Sequence, residues 1–298
     1  MALRLLSVAM LSVMFACVKL LGERGVGVIE SLFYRQFILL GVVLLWMAAG
    51  QGSGRGAGFE AMRTHRPMAH LIRMIIGIVA MGFNFWSYTL LPMAEATTIG
   101  FAVPIFATAL AALLLKEPTG IHRWGAVLAG FVGVVIVLQP GGSHISLYGG
   151  SVAIVAAMLT ASVTVVLRRL GATERAPTIV FWFALTSLIP LGLAMLRVGQ
   201  FHDGPTWGLL LLMGVAGGIA QLALTASLRL APIALVMPMD YTGLLWASLI
   251  GFILFYQWPG AATWFGAPLI IASGLYILWR ERVRAQQAFM EPAASPER

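Results

Sequence analysis

The chain has 298 residues, of which 60% are hydrophobic and only 10% are charged, and its formal net charge is +8 at pH 7. This balance, with a mean hydropathy of +0.91, excludes an ordinary soluble domain and indicates a polytopic membrane protein. A bilayer core about 30 Å thick takes roughly 20 apolar residues per helix, so the chain has room for about ten spans and for no additional soluble domain.

Apolar segments follow one another along the whole chain with short connections between them. The hydropathy pattern predicts ten spans, at residues 5–21, 29–49, 70–91, 93–115, 123–139, 147–168, 178–196, 206–228, 233–255 and 260–279. The sequence therefore predicts an all-α membrane protein.

The third and fourth spans are separated by hardly any polar sequence. A single straight helix over 70–115 would be about 69 Å long, more than twice the hydrocarbon thickness, so the chain must turn back on itself. Pro92 lacks an amide proton and disfavours helix at Leu91, which predicts a turn over 90–94. Glu95 then lies in the first turn of span four, near the membrane surface, where a carboxylate suits the helix dipole.

The cations follow an alternating pattern along these spans. If the N-terminus is cytoplasmic, 15 Lys and Arg residues fall in inner segments and only Arg24 and Arg197 fall in outer ones, while Lys19 and Arg35 lie within spans. This asymmetry predicts cytoplasmic termini and an even number of spans. The positive charge is then explained by topology and by attraction to the cytoplasmic leaflet, and no nucleic-acid partner is expected.

Polar and aromatic side chains within the spans are the candidates for substrate contact, because each polar group in the bilayer is costly unless it is paired or faces water. The substrate-binding candidates are Arg35, Asn84, Tyr88, Trp182, Gln221, Asp240, Tyr241 and Trp246. Arg35 is interpreted either as a structural cation or as a contact for a substrate carboxylate. Asp240 is interpreted either as a structural carboxylate hydrogen-bonded to Gln221 or as a proton-coupling group.

Span four also contains Gly100 and Pro104, which are candidates for a kink that moves during gating. The five histidines lie at or outside the predicted membrane edges, and Cys17 is the only cysteine. No metal site and no cofactor are expected from this composition.

Similar motifs recur about 140 residues apart. Leu91-Pro92-Met93-Ala94 corresponds to Ala231-Pro232-Ile233-Ala234, and Lys116-Glu117-Pro118 corresponds to Gln257-Trp258-Pro259. Spans one and six end in the related sequences VKLLG and VLRRLG. Five spans per half is an odd number, so the halves must lie in opposite orientations as an inverted repeat. We expect repeats at 1–140 and 141–282, followed by a disordered cytoplasmic tail at 283–298.

The chain resembles the drug/metabolite transporter superfamily, in particular its EamA-type transporters and the YddG-like amino-acid exporters among them. The resemblance rests on the doubled ten-span layout, on Arg35 and Pro104, on Glu117 closing span four, and on Gly125, Gly130 and Gly133 in span five. The second half departs from the pattern at Leu244 and Gln257. The resemblance implies two inverted five-helix repeats that move about a central cavity, and a bacterial-type inner membrane location.

Other classes lack the residues that their chemistry needs. One buried aspartate cannot supply an intramembrane aspartyl protease, and the chain has neither a Gly-x-Ser-Gly motif with a buried histidine nor aspartate-rich Mg²⁺ motifs. We therefore expect a carrier and no enzyme, acting as a monomer or weak dimer on small metabolites. Export of aromatic or apolar amino acids is the first expectation, with uptake of S-adenosylmethionine-like metabolites or transport of lipophilic cationic drugs as the alternative and a channel as the remote one.

Overall fold

The computed structural model describes residues 1–48, 63–114, 121–139, 146–171, 173–174, 176–230 and 237–290. Its helices are α1 (Ala2–Glu23), α2 (Val28–Ala48), α3 (Pro67–Leu90), α4 (Met93–Gly100), α5 (Val103–Leu114), α6 (Ile121–Leu138), α7 (Leu147–Gly171), α8 (Ala176–Val198), α9 (Gly204–Leu230), α10 (Gly243–Phe255) and α11 (Ala261–Met290). A 3₁₀ helix at Met237–Thr242 precedes α10. No strand occurs among the described residues.

These helices confirm the predicted spans. Within the described ranges, nine helical segments are long and apolar enough to cross a membrane, and Trp124–Leu138 is a shorter apolar helix. The protein is thus an all-α membrane protein with the ten segments expected from its hydropathy. The motif at 116–118, the motif at 231–234 and residues 291–298 of the expected tail lie outside the described residues.

The C-terminal helix is longer than its hydropathy suggests. Helix α11 continues to Met290, so residues 283–290 of the expected tail are helical. The stretch from Arg282 to Met290 contains neither glycine nor proline and is rich in Ala, Gln and Arg, which are good helix formers. The end of the apolar segment therefore does not end the helix.

The main helix contacts join one half of the chain to the other. Helix α1 packs on α9. The counterpart of α1 is α7, and it packs on α3, which is the counterpart of α9. Helices α2 and α8, and α6 and α11, are counterparts that pack directly on each other, and α10, the counterpart of α5, packs on α4. At the α6–α11 contact, Gly133 and Gly266 each lie against the other helix's backbone, which is the close approach that small residues permit. This arrangement matches two repeats related by a pseudo-two-fold axis.

The turn between α3 and α4 is where the sequence predicts it. Leu91 is extended (φ −116°, ψ 155°) and Pro92 precedes the first residue of α4. Glu95 is in the first turn of α4, as expected, and its side chain is buried within the protein. Its Oε1 accepts hydrogen bonds from the backbone N–H of Gly260 (3.0 Å) and the Thr263 hydroxyl (3.3 Å). Glu95 therefore stabilises the start of α11 in the other half, where unpaired N–H groups favour a carboxylate.

Candidate functional site

The fourth span is broken in its middle at the two residues singled out for gating. Helix α4 ends at Gly100, Phe101 and Ala102 form a turn, and α5 begins at Val103. Pro104 has no N–H to donate to the Gly100 carbonyl four residues earlier, so the α-helical bonding pattern cannot continue through this point. Instead the N–H of Phe101 bonds to Thr97 and Thr98, and that of Ala102 bonds to Ile99. A break at Gly100 and Pro104 is thus present, whereas their part in gating stays a prediction.

The ninth span is irregular at the corresponding place. Its 3₁₀ helix contains Asp240 and Tyr241 and leads into α10 at Gly243. Tyr241 lies 140 residues after Phe101, which is the repeat offset, and the two rings meet edge to face with centroids 5.0 Å apart. The breaks in the two halves therefore meet at the interface between the repeats, the position at which discontinuous helices commonly build transporter sites.

Aromatic rings and hydroxyl groups collect beside these breaks. Phe15 of α1 stacks on Tyr88 of α3, with ring centroids 4.0 Å apart and an interplanar angle of 8°. The Tyr88 hydroxyl shares a 2.9 Å hydrogen bond with the Thr97 hydroxyl of α4. A methyl or side chain at Gly243 would contact both Thr97 and Phe101, which places these groups next to α10.

Asn84 extends this set by one turn of α3. Its amide donates to the Thr160 hydroxyl of α7 (2.9 Å) and to the Ala80 carbonyl (2.8 Å). We call the set of Phe15, Asn84, Tyr88, Thr97, Phe101, Thr160 and Tyr241 the aromatic–hydroxyl cluster. It contains three of the predicted site residues and draws on both repeats.

Asp240 has a partner that the sequence analysis had not assigned to it. The guanidinium of Arg4 forms a bidentate ion pair with its carboxylate, Nε with Oδ1 and Nη2 with Oδ2. Arg4 had been counted as a cation of the inner surface, yet it is only 7% exposed. Its long side chain reaches the 3₁₀ helix, where a carboxylate removed from bulk water needs a compensating charge. Gln221, the expected partner, lies half-buried on α9.

Lys19 is buried and is compensated by backbone. Its Nζ donates to the carbonyls of Leu91 (2.8 Å) and Tyr88 (3.4 Å), at the C-terminal end of α3. These carbonyls have no partner within the helix, and the negative end of the helix dipole favours a cation there. Lys19 thus fixes the turn that follows Tyr88.

Arg35 lies away from the aromatic–hydroxyl cluster, between α2, α8 and α9. Its Nη1 donates to the side-chain oxygen of Gln36, whose amide donates to the Ser187 hydroxyl at 2.6 Å. A second arginine, Arg73 of α3, lies over the ring of Phe183 at 4.1 Å. The sequence analysis had counted Arg73 as a surface cation.

Two predicted tryptophans are also separate from the cluster. Trp246 is 38% exposed on α10, whose buried residues are Gly243, Ala247 and Gly251. Trp182 is half-buried on α8, with its ring 6.0 Å from Phe181 and 6.1 Å from His70. Both positions suit packing or lipid contact, and their role in binding substrate stays a prediction.

An apolar cavity of about 550 Å³ lies between α2, α3 and α8. Its lining includes Leu32, Ile78, Gly82, Trp86, Pro190 and Leu191. This lining contains no charged side chain and no hydroxyl or amide side chain. Among the residues that the structure describes, no group of three or more His, Cys, Asp or Glu side chains could hold a metal ion.

The chain's similarity to known proteins agrees with this architecture. The family model described as "EamA-like transporter family" matches residues 1–139 and 147–279, almost the whole chain. The chain belongs to the EamA-like transporter family. Its expected assignment as a transporter and not an enzyme is thereby confirmed, whereas the YddG-like subgroup is not.

Curated relatives of this transporter include riboflavin transporters and S-adenosylmethionine uptake transporters. A riboflavin transporter of Rhizobium johnstonii is 33% identical over 234 residues, covering 77% of this chain and 76% of the relative. A riboflavin transporter of Vibrio cholerae is 28% identical, over 76% and 77%. An S-adenosylmethionine uptake transporter of Rickettsia prowazekii is 27% identical over 261 residues, covering 85% and 83%.

A solved crystal structure has a similar fold. It aligns with a TM-score of 0.61 at 20% sequence identity, covering 92% of this chain and 97% of its own. At this identity the similarity supports the fold alone. The transporter is therefore a multi-pass membrane protein, and its helical spans and bacterial relatives support an inner (plasma) membrane location.

Several residues of the cluster were missed by sequence reasoning. Phe15, Thr97 and Thr160 are ordinary residues within spans, and nothing in their local sequence distinguishes them. Phe101 could have been found, because it stands at the repeat offset from Tyr241. Residues of an inverted repeat that lie near its axis contact their own counterparts, so a counterpart of a candidate residue is itself a candidate.

Proposed function

We propose that this transporter carries a small, planar, hydroxylated heterocyclic metabolite, with riboflavin as the first candidate. The observation that supports it is the aromatic–hydroxyl cluster at the meeting point of the two helix breaks. Stacked rings suit a flat heterocycle, and hydroxyl and amide groups suit a polyol chain. Riboflavin combines a flat tricyclic ring with a ribityl chain, and two of the relatives are named for it.

The carboxylates of the described spans favour a neutral substrate over a cationic one. Asp240 is engaged by Arg4, and Glu95 accepts hydrogen bonds at the start of α11. Glu30 pairs with His202 at 2.8 Å. Each of these three acids thus has a partner in the protein, although Glu95 Oε2 is buried without one of its own among the described residues. A sulfonium such as S-adenosylmethionine, or a lipophilic cation, would need a carboxylate that is free to pair with it.

Amino-acid export, the first expectation from the sequence, remains a second candidate. The observation that favours it is the buried guanidinium of Arg35, which suits a carboxylate. We propose that either substrate moves by alternating access, with the helix breaks at Gly100–Pro104 and Met237–Thr242 as the deformable points. The unit in this proposal is a monomer or weak dimer with cytoplasmic termini.

The test is a flux assay in proteoliposomes with radiolabelled riboflavin. We expect saturable uptake that is accelerated by unlabelled riboflavin preloaded inside the vesicles. Phenylalanine, S-adenosylmethionine and tetraphenylphosphonium should compete poorly from outside. Exchange of phenylalanine without exchange of riboflavin would favour the amino-acid carrier, and conductance without saturation would favour a channel.

Two hydroxyl substitutions connect this assay to the cluster. Tyr88→Phe and Thr97→Val each remove one partner of the 2.9 Å hydrogen bond beside the rings. We expect each to lower kcat/KM for riboflavin about tenfold, which corresponds to about 1.4 kcal/mol. Tyr148→Phe is the matched control, because Tyr148 is exposed and its ring contacts only Trp86 among the ring contacts described. An equal loss in the control would argue against the cluster.

Cysteine labelling tests the proposed orientation. Phe201 is exposed between α8 and α9, and Arg66 is exposed just before α3. Cysteine at 201 should react with a membrane-impermeant maleimide in intact cells, and cysteine at 66 only after permeabilisation. Native Cys17 is buried and should give little background. The reverse labelling pattern would invert the topology.

A further inference from the structure

The first observation concerns Arg35, which is 5% exposed within the membrane-spanning bundle. Its Nη1 is bonded to Gln36, but its Nε is buried without a hydrogen-bond partner among the described residues. That Nε lies against Gly217, where an added side chain would come within 3.6 Å of it. Gly217 is near the middle of α9, so the Arg35 head group lies at mid-height in the bundle.

Arg73 points toward the same level from the opposite end of the bundle. It lies six residues after the start of α3, about 9 Å into the helix. Arginines near a helix end commonly extend to the nearest interface, and helical side chains lean toward the N-terminus. The Arg73 guanidinium does the reverse: it occupies the space beside Gly77, one turn further into the bundle, where a methyl group would overlap it. Its Nε and Nη1 are buried without hydrogen-bond partners in the described part of the chain.

Helix α8 fixes the distance between the two cations. Arg73 stacks on Phe183, and Arg35 is joined through Gln36 to Ser187. Residues 183 and 187 are one turn apart on the same face of α8, which is about 6 Å along the axis. The structure therefore buries two like charges, one held directly and one held through Gln36, at levels of α8 that are one helical turn apart.

Compensating acids are not found for this pair in the part of the chain that the structure describes. Glu30 pairs with His202, Asp203 with Arg24, and Asp240 with Arg4. Glu95 caps α11, and Glu174 accepts hydrogen bonds from the Thr64 hydroxyl and the His65 N–H. The ring of Phe183 and the oxygen of Gln36 are the compensation that remains, and neither carries a negative charge.

We infer that Arg35 and Arg73 form an anion-binding site whose ligand is a single carboxylate or phosphate group. Two buried cations that repel each other cost free energy until an anion lies between them. A planar oxyanion matches guanidinium N–H groups that have no other acceptor, and such charge-assisted bonds are the strong ones. The anion is either a group on the transported molecule or a free ion that binds with it. The site is inferred independently of riboflavin as the substrate.

Thermal unfolding of the purified protein in detergent tests the site without any transport. In low-salt buffer, Arg73→Gln and Arg35→Gln should each raise Tm by a few degrees, because each removes a repulsion that the wild type carries. Added acetate or phosphate should raise Tm of the wild type beyond sodium chloride of equal ionic strength, and should have no such effect on either variant. Arg24→Gln is the matched control, because it removes an exposed arginine with an acidic partner.

A third variant distinguishes position from charge. Gly77→Ala keeps both arginines but displaces the Arg73 guanidinium. It should lose the stabilisation by acetate or phosphate over chloride, a readout that compares each protein with itself and so does not depend on the Tm of the variant in low salt. If both glutamine variants lowered Tm and acetate and phosphate acted on the wild type no more than chloride, the arginines would be structural and the anion site would be wrong.

Flux measurements then identify the source of the anion. If the anion is part of the substrate, Arg73→Gln should reduce transport of riboflavin 5′-phosphate or of phenylalanine at least tenfold while leaving riboflavin unchanged. If it is a free ion, wild-type riboflavin uptake should rise with acetate or phosphate, and the variant should not respond. A carrier that transports no flavin would contradict the proposed function, but the unfolding result would still decide the anion site.

Discussion

Two regions of this transporter bury arginine in the bilayer-spanning bundle, and they differ in what compensates the charge. At the 3₁₀ helix, Arg4 forms a bidentate pair with Asp240. Between α2, α3 and α8, Arg35 and Arg73 have Gln36 and Phe183 as their described partners, and no carboxylate from the described residues pairs with them. In the first region the charge of the arginine is neutralised within the protein, whereas in the second it is not.

The difference indicates which polar residues hold the fold and which are available to a ligand. Separating the partners of a buried ion pair leaves a charge without compensation. The Arg4–Asp240 pair therefore favours the packing of α1 against the 3₁₀ helix in which the pair forms. Lys19 is satisfied in the same sense by the carbonyls that end α3. An uncompensated cation is stable only at the expense of other contacts, and this is the condition under which an anion binds tightly.

The largest expected effect comes from breaking the Arg4–Asp240 ion pair. Asp240→Asn should lower the free energy of unfolding by about 3–5 kcal/mol, because it leaves the buried Arg4 charge without its partner, and Arg4→Gln should lower it by less, because the Asp240 side chain is 33% exposed. The double variant should recover most of this loss, giving a large coupling energy in a double-mutant cycle. Denaturation of the four proteins in the same detergent measures it. Additive losses would show that the pair is not coupled.

The double variant also tests energy coupling. We hold Asp240 to be structural, with the substrate gradient supplying the drive. Arg4→Gln/Asp240→Asn should therefore retain counterflow, and the pH dependence of its net flux should equal that of the wild type. Retention of exchange together with loss of accumulation against a gradient would instead identify Asp240 as the proton-coupling group.

A smaller effect is expected at Arg35, whose charge no described carboxylate neutralises. Arg35→Ala should weaken transport of carboxylate-bearing substrates about tenfold, or about 1.4 kcal/mol, while sparing a lipophilic cation, because only the former lose a charge-assisted bond. Flux of phenylalanine and of tetraphenylphosphonium in the same vesicle preparation measures the ratio. Equal loss for both substrates would indicate that Arg35 is structural.

The smallest effect is expected where an arginine–aspartate ion pair is exposed to water. Arg24 lies 3.9 Å from Asp203, and both side chains are largely exposed. Hydrogen bonding from the Thr206 side chain and N–H, helped by the charge of Arg24, lowers the pKa of Asp203. The carboxylate therefore stays ionised throughout about pH 5–8, and any stability that it contributes is lost only as the pH falls through this lowered pKa. Arg24→Gln should leave Tm unchanged over that range, because solvent screens the pair.

The sequence predicted the fold far more completely than the site. All ten spans were located because lipid requires every span to satisfy its own backbone, which makes the apolar segments long and continuous. The break at Gly100–Pro104 and the turn at Leu91–Pro92 were also accessible, because proline acts on the backbone within its own neighbourhood. The partners of Glu95 were not accessible in this way, since Gly260 and Thr263 are 165 or more residues away.

What the sequence by itself determined is the number and positions of the spans, the break at Gly100–Pro104 and the repetition of one half in the other. What only the tertiary structure decided is which charged residues are satisfied. Arg4 and Arg73 both read as cations of the inner surface, and both are drawn into the bundle, one onto Asp240 and the other toward Arg35. The reason is that the cost of a charge in a membrane depends on the groups within a few ångströms of it, and those groups come from helices that are distant in the chain.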